Sequence, residues 1–198
     1  QVYHAVPMGG SRVSLPLLVA HADAIVVLGD GESQSQAGPL ASESWYRAGL
    51  ARWTSLVPPE KLVMGVFSQA VRWNLDSGAG EYISVMDAFG LAGQHGVEPL
   101  FDPVSRNTTF NYVDGASEHA VWMLDAAAAY NWLTMLADYP IKGVALQRLG
   151  SEDPSLWPLL TNLDPASLTT IDASHVVSRS GNGEAITLAR LPQSGVRS

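Results

Sequence analysis

Three short apolar runs constrain the fold of this chain more than any other feature. They end at Gly29, Val66 and Leu146 and read A-I-V-V-L-G, K-L-V-M-G-V and G-V-A-L. Such runs are too short for helices, and β-branched residues dominate the first of them. Uninterrupted apolar runs of this length are typical of strands covered on both faces, as in parallel α/β sheets. The sequence therefore predicts three buried parallel strands, at residues 24–29, 61–66 and 143–146.

Helical patterns alternate with these strands. Helices are predicted at residues 13–22, 42–56, 84–93 and 125–137, with Ser42 and Ser84 as N-caps. A further strand is predicted within residues 2–8. Alternation of strands and helices favours a parallel α/β sheet. A complete (β/α)8 barrel needs about 250 residues, so four core strands in 198 residues predict half of a barrel.

The sections around residues 67–73 and 97–124 carry other patterns. An aromatic-bearing loop is predicted at residues 67–73. Three short strands, joined in part by a hairpin turn at Asp114-Gly115, are predicted at residues 97–102, 108–112 and 119–124. Near the end of the apolar pattern, Ser151 is predicted to cap a short helix with Glu152 and Asp153 in its first turn.

Composition limits the possible partners of the chain. Hydrophobic residues make up 46% of it, which is enough for one sizeable core. The net charge of −8 and the lack of a basic stripe argue against a nucleic-acid partner, and there is no cysteine for a disulfide or a thiol nucleophile. From residue 162 the composition becomes polar, which predicts a domain at residues 1–161 and a linker at residues 162–198, with one more strand at 185–191.

Polar side chains follow the strands at the end where parallel sheets carry their functional groups. Asp30 follows the first run, Trp73 lies beyond the second, and Gln147 and Arg148 follow the third. We expect these four to be the substrate-binding residues. Three of them have an alternative that the sequence leaves open: Asp30 as a solvated loop acid, Arg148 paired with a buried acid, and Trp73 as a rim or core aromatic.

A metal site is not expected, although acidic residues and a histidine lie near the first strand. His21 and Asp23 precede this strand, whereas Asp30 and Glu32 follow it. A strand of this length separates the two pairs by about 20 Å, so they cannot share one ion. No cofactor motif such as G-x-G-x-x-G is present either.

Residues 143–157, G-V-A-L-Q-R-L-G-S-E-D-P-S-L-W, resemble the last barrel strand of glycoside hydrolase family 18, the chitinase-like enzymes. The resemblance is strongest to the bacterial branch that is fused to a glycosyltransferase and a polysaccharide deacetylase. Further matches follow in the same order along nearly the whole chain: G-P-L-A-S-E-S-W-Y at 38–46, V-P-P-E-K-L-V at 57–63 and F-D-P-V-S-R-N-T-T-F-N-Y at 101–112. The resemblance implies the C-terminal half of a (β/α)8 TIM barrel, with a small β insertion before the last barrel strand.

This resemblance also implies substrate-assisted hydrolysis, an exception to the two-carboxylate scheme. In the family, a Glu that ends a D-x-x-D-x-D-x-E motif protonates the glycosidic oxygen, and the N-acetyl oxygen of the sugar attacks the anomeric carbon. A Tyr-Asp pair orients the acetamido group, and a Trp forms the floor of the site. Here Asp30 matches the Asp of the pair, but Gly29 stands in place of the Tyr and Gln147 in place of the Trp. The acidic motif is absent from this chain, so no catalytic residue is assigned.

The departures from the family pattern leave two functions open. The first is a glycosidase domain that acts on N-acetylglucosamine-containing polysaccharide in a longer parent protein and is inactive as this chain. The second is a non-catalytic glycan-binding or structural domain. The resemblance implies a polysaccharide or oligosaccharide partner, fused domains in the parent protein and a bacterial envelope or extracytoplasmic setting. Because half of a barrel has unpaired sheet edges, we expect the isolated chain to aggregate, dimerise or remain partly molten.

Overall fold

A four-stranded parallel sheet forms the centre of the molecule. The computed structural model describes residues 1–10 and 13–161. With strands numbered in chain order, the spatial order of the sheet is β1-β2-β3-β9, and every pairing is parallel. The bounds are β1 (Tyr3–Pro7), β2 (Ala24–Leu28), β3 (Leu62–Phe67) and β9 (Gly143–Gln147). The predicted partial barrel is confirmed, and its sheet does not close.

Five α-helices accompany the strands in the described residues. They are α1 (Leu15–His21), α2 (Glu43–Leu56), α3 (Val85–His95), α4 (Ala126–Ala137) and α5 (Leu156–Thr161). The two predicted caps are confirmed: the hydroxyl of Ser42 accepts from the Trp45 N–H, and that of Ser84 accepts from the Asp87 N–H. A short 3-10 helix, Pro59–Lys61, ends the connection from α2 to β3.

The two faces of the parallel sheet differ in burial. The strand register aligns Val6, Val27 and Met64 in one row, and all three are buried in the main core with Trp53 of α2 and Trp132 of α4. The neighbouring row faces the opposite side, and its residues are exposed or only partly buried: Ala5, Val26 and Val63. Helices therefore cover one face of the sheet, and the face that would line a barrel interior stays partly open.

The second sheet is antiparallel and is inserted between β3 and β9, as predicted for the small β insertion. Its spatial order is β5-β4-β8-β7-β6. The bounds are β4 (Ala70–Asn74), β5 (Gly80–Ile83), β6 (Leu100–Phe101), β7 (Thr108–Asp114) and β8 (Ser117–Met123). Helix α3 packs on this sheet through Val85 and Ala88, which form a second core cluster with Phe110 and Val121.

Three local predictions were wrong. The predicted loop at residues 67–73 overlaps β4, because the backbone groups of that segment pair with β8 and β5. Strand β9 is not covered on both faces: Val144 is 46% exposed, because β9 is the last strand of an open sheet. Ser151 does not cap α5, since its hydroxyl donates to the Arg148 carbonyl and the helix begins at Leu156.

The predicted linker at residues 162–198, with its strand at 185–191, lies outside the described residues. Among the residues that are described, no helix combines the length and the apolar character that a bilayer crossing requires.

Candidate functional site

The carboxyl ends of β2, β3 and β9 lie side by side, as the sequence predicts. Phe67 pairs with Gln147 at the ends of their strands, and the Ser68 N–H donates to the Gln147 carbonyl over 3.3 Å. Asp30 follows β2 by two residues and is half-buried, like Gln147. Arg148 is exposed, and the peptide bond that joins it to Gln147 is cis.

Asp30 and Arg148 interact electrostatically at this edge of the sheet. Burial raises the pKa of the Asp30 carboxyl, and its own backbone N–H and the positive charge of Arg148 partly oppose this rise. The two residues follow different strands that are not neighbours in the sheet, so the turns after the strands bring them together. The structure thus places a carboxylate, a guanidinium and the Gln147 amide at one edge, where a polar ligand can be held by several hydrogen bonds.

Tyr82 is a fourth member of this group that the sequence analysis did not select. It lies on β5 of the insertion, and the Arg148 guanidinium carbon is 5.7 Å from the centroid of its ring. Burial raises the pKa of the Tyr82 hydroxyl, the charge of Asp30 raises it further, and Arg148 lowers it. Residues 80–83 read G-E-Y-I, a pattern too short to indicate a strand, and only the tertiary fold brings Tyr82 to this edge.

Trp73, the remaining predicted site residue, lies elsewhere. It is on β4, is 3% exposed and belongs to the main core. Its indole N–H donates to the Gly38 carbonyl over 3.0 Å, and its ring covers Gly80. A role for Trp73 in substrate binding stays a prediction, and it would require this side chain to be uncovered.

Gly29, which the sequence resemblance aligns with a tyrosine of glycoside hydrolase family 18, has no room for a side chain. A Cβ atom there would lie closer than 3.0 Å both to the Gly65 carbonyl oxygen and to the ring of Tyr46. Tyr46 is fully buried, donates its hydroxyl to the Gly65 carbonyl over 2.7 Å and stacks on Trp132 at 5.4 Å. A phenol is therefore present in this region, but it is held in the core.

Glu32 has a structural role. Its carboxylate accepts from the backbone N–H of Ser42 and, over 2.8 Å, from the Ser42 hydroxyl. These bonds close the loop between β2 and α2 and place a negative charge at the amino end of α2. In the described part of the chain, no group of three or more metal-ligating side chains lies close enough to hold an ion.

Two buried carboxylates lie at the start of α4. Asp125 accepts from the Thr108 hydroxyl over 2.7 Å and from the Ala128 N–H over 2.9 Å. Asp153 accepts from the Ala126 N–H over 3.1 Å. Burial raises the pKa of Asp125, the bonds from Thr108 and Ala128 oppose the rise, and the charge of Asp153 adds to it. Both carboxylates accept from N–H groups in the first turn of α4 that have no partner within the helix. Their burial therefore has a structural explanation.

No protein-family model matches the chain. One curated relative is an uncharacterized glycosylase, YvbX, of Bacillus subtilis (strain 168), which is 26% identical over 122 residues, 61% of this chain and 36% of the relative. Among solved structures, a chitinase from Chromobacterium violaceum ATCC 12472 matches with a TM-score of 0.72 and 24% identity, over 80% of this chain and 54% of that one. The Bacillus megaterium QM B1551 spore cortex-lytic enzyme SleL matches with a TM-score of 0.67 and 22% identity, over 80% of this chain and 40% of that one.

These similarities agree with the resemblance seen in the sequence. At this level of identity, the solved structures establish the shared fold. The chain spans roughly a third to a half of the length of the proteins it matches.

Proposed function

We propose that this chain is part of a glycosidase similar to glycoside hydrolase family 18, in which it binds N-acetylglucosamine-containing polysaccharide at the carboxyl edge of its parallel sheet and the longer parent protein hydrolyses it. One observation supports the proposal: Asp30, Gln147 and Arg148 stand at the carboxyl ends of strands of one parallel sheet, where the charge of Arg148 acts on the Asp30 carboxyl, in a fold shared with a chitinase. Sites of barrel enzymes lie at this end of the strands.

The chemistry of the three groups suits an N-acetylated sugar. The Asp30 carboxylate accepts hydrogen bonds, and an acetamido N–H or a ring hydroxyl can donate them. The Gln147 amide both donates and accepts, and the Arg148 guanidinium donates. A half-buried carboxylate is poorly solvated. A sugar hydroxyl or amide that replaces water there therefore binds the carboxylate more strongly than it would bind an exposed one.

Hydrolysis is proposed for the parent protein and not for these 198 residues alone. Substrate-assisted cleavage needs an acid to protonate the leaving oxygen, and general acid catalysis typically contributes about 10²–10⁴-fold. The family motif that carries the acid is absent from this sequence. The fused glycosyltransferase and deacetylase domains remain an expectation from the resemblance.

The test titrates N-acetylchitotetraose into the 198-residue chain. Calorimetry measures binding, and a reducing-sugar assay measures hydrolysis. We expect binding without hydrolysis. Asp30→Asn should weaken binding by about 10-fold or more, because hydrogen bonds to a charged group contribute about 1.5–3 kcal/mol. Asp114→Asn, on the exposed β7–β8 hairpin, is the matched control and should bind like the unaltered chain.

Failure of the unaltered chain to bind any N-acetylglucosamine oligomer would overturn the proposal. If the unaltered chain releases reducing ends and Asp30→Asn does not, the proposal that this chain is inactive is wrong.

The second candidate function is a non-catalytic glycan-binding domain. Gly29 favours it, because the structure leaves no space for the phenol that the family places there. The coding sequence upstream of Gln1 separates the two functions. An intact D-x-x-D-x-D-x-E motif there would favour the enzyme, and a broken one would favour the binding domain.

A further inference from the structure

We infer that Tyr82 of the β insertion forms an aromatic face of the glycan site, on which the apolar side of a pyranose ring stacks while Asp30 and Arg148 bind its polar groups. The inference rests on the proposed function and assigns to that site a residue from a different sheet.

The position of Tyr82 is fixed by backbone pairing. It lies opposite Val71 in the β4–β5 ladder, and β5 is the edge strand of the antiparallel sheet. Arg148 follows β9, the edge strand of the parallel sheet. The contact between the Arg148 guanidinium and the Tyr82 ring, at 5.7 Å, therefore joins the edges of the two sheets. The charge of Asp30 also acts on the Tyr82 hydroxyl. A side chain that is anchored on a strand loses little freedom when a ligand binds.

The exposure of Tyr82 leaves area for a ligand. The residue is 46% exposed although it contacts Arg148. An aromatic ring presents a large apolar surface at a small cost in conformational entropy, because it has only two χ angles. Sugars combine polar rims with patches of C–H groups, so a site with an aromatic face and a few charged groups matches both parts of the ligand.

Another exposed tyrosine provides the contrast. Tyr3 is 53% exposed, but it begins β1 at the opposite end of the sheet, and its hydroxyl donates to the Gln1 side chain. Tyr82 instead has an acid and a guanidinium beside it. This combination, rather than exposure alone, identifies Tyr82 as a binding residue.

The experiment titrates N-acetylchitotetraose into the 198-residue chain and into Tyr82→Ala, Tyr82→Phe and Tyr3→Ala. Stacking on an aromatic ring predicts that Tyr82→Ala loses about 3- to 10-fold in affinity. Tyr82→Phe keeps the ring and should bind within about 2-fold of the unaltered chain, and Tyr3→Ala should be unaffected. Proton NMR gives a second readout: sugar ring protons should shift upfield through the ring current in the unaltered chain and in Tyr82→Phe, but not in Tyr82→Ala.

Each result is decisive. If Asp30→Asn weakens binding and Tyr82→Ala does not, the inference is wrong and the proposed function stands. Equal losses in Tyr82→Phe and Tyr82→Ala would assign the effect to the hydroxyl and overturn stacking. If the unaltered chain binds no saccharide, both the inference and the proposed function fail. Should Tyr82→Ala fold poorly by circular dichroism, the upfield shifts in the unaltered chain and in Tyr82→Phe decide the matter, and their absence overturns the inference.

Discussion

At the scale of single residues, Gly29 shows how close packing can exclude a functional side chain. The backbone of the β2 end lies against the Gly65 carbonyl on one side and the Tyr46 ring on the other. Tyr46 cannot move away cheaply, because its hydroxyl is bonded to that same carbonyl and its ring stacks on Trp132. A tyrosine cannot be restored at position 29 without rebuilding this contact.

We predict that Gly29→Ala destabilises the protein by about 1–3 kcal/mol or more, the usual cost of overpacking a tight core. Gly90→Ala is the matched control, since Gly90 lies in α3 with no atom within 4 Å of the added Cβ. It should stabilise by up to about 1 kcal/mol through helix propensity. Urea denaturation of the three proteins measures both effects, and equal stability of Gly29→Ala and the unaltered chain would contradict the packing described.

At the scale of secondary-structure elements, the start of α4 is where charge and burial conflict. Asp125 caps this helix from a fully buried position, and burial raises the pKa of its carboxyl. A raised pKa in the folded state means that folding favours the protonated acid. The contribution of the Asp125 carboxyl to stability is therefore fully present below its pKa in the unfolded state, about 3.9. That contribution is lost as the pH rises through its pKa in the folded state.

We predict that Asp125→Asn becomes progressively more stable, relative to the unaltered chain, as the pH rises from about 4 to 7. Asparagine keeps an oxygen that can cap the Ala128 N–H, and it carries no charge to bury. Chemical denaturation of both proteins at several pH values gives the difference in unfolding free energy. A difference that stays constant, or that shrinks as the pH rises, would show that burial does not control this group.

The elements also show what the sequence can and cannot predict. The four parallel strands, α2, α3 and α4 follow from apolar runs, helical spacing and capping residues, because each of these signals is local. Strand β5 and the burial of Trp73 do not, since both depend on pairing and packing with distant segments. For the same reason Asp30, Gln147 and Arg148 could be found at strand ends, whereas Tyr82 could not.

At the scale of the whole molecule, the open sheet is the dominant feature. Strands β1 and β9 are the outer strands of the parallel sheet, and each has only one partner among the described residues. One face of the sheet is also only partly buried. Unpaired strand edges next to apolar surface favour association with another chain.

We predict that the isolated 198-residue chain self-associates, and that Val144→Lys shifts it toward monomer. Val144 is 46% exposed on β9, where a lysine adds a charge to the edge without entering the core. Val104→Lys is the control, because Val104 is 83% exposed in a turn outside the parallel sheet. Light scattering after size-exclusion chromatography measures the mass. A monomeric unaltered chain with a sharp cooperative melt would contradict this prediction.

The division of the molecule into two sheets has an evolutionary consequence. Asp30 and Gln147 lie on a scaffold whose register leaves little freedom, whereas Tyr82 lies on β5, the edge strand of the second sheet, which pairs there with β4. The β4–β5 turn contains Asp76, Ser77 and Gly78 and can change in length without disturbing the parallel strands. If Tyr82 stacks on a sugar as inferred, changes in the β4–β5 hairpin alter which sugar is preferred, while the scaffold that carries Asp30 and Gln147 is inherited unchanged.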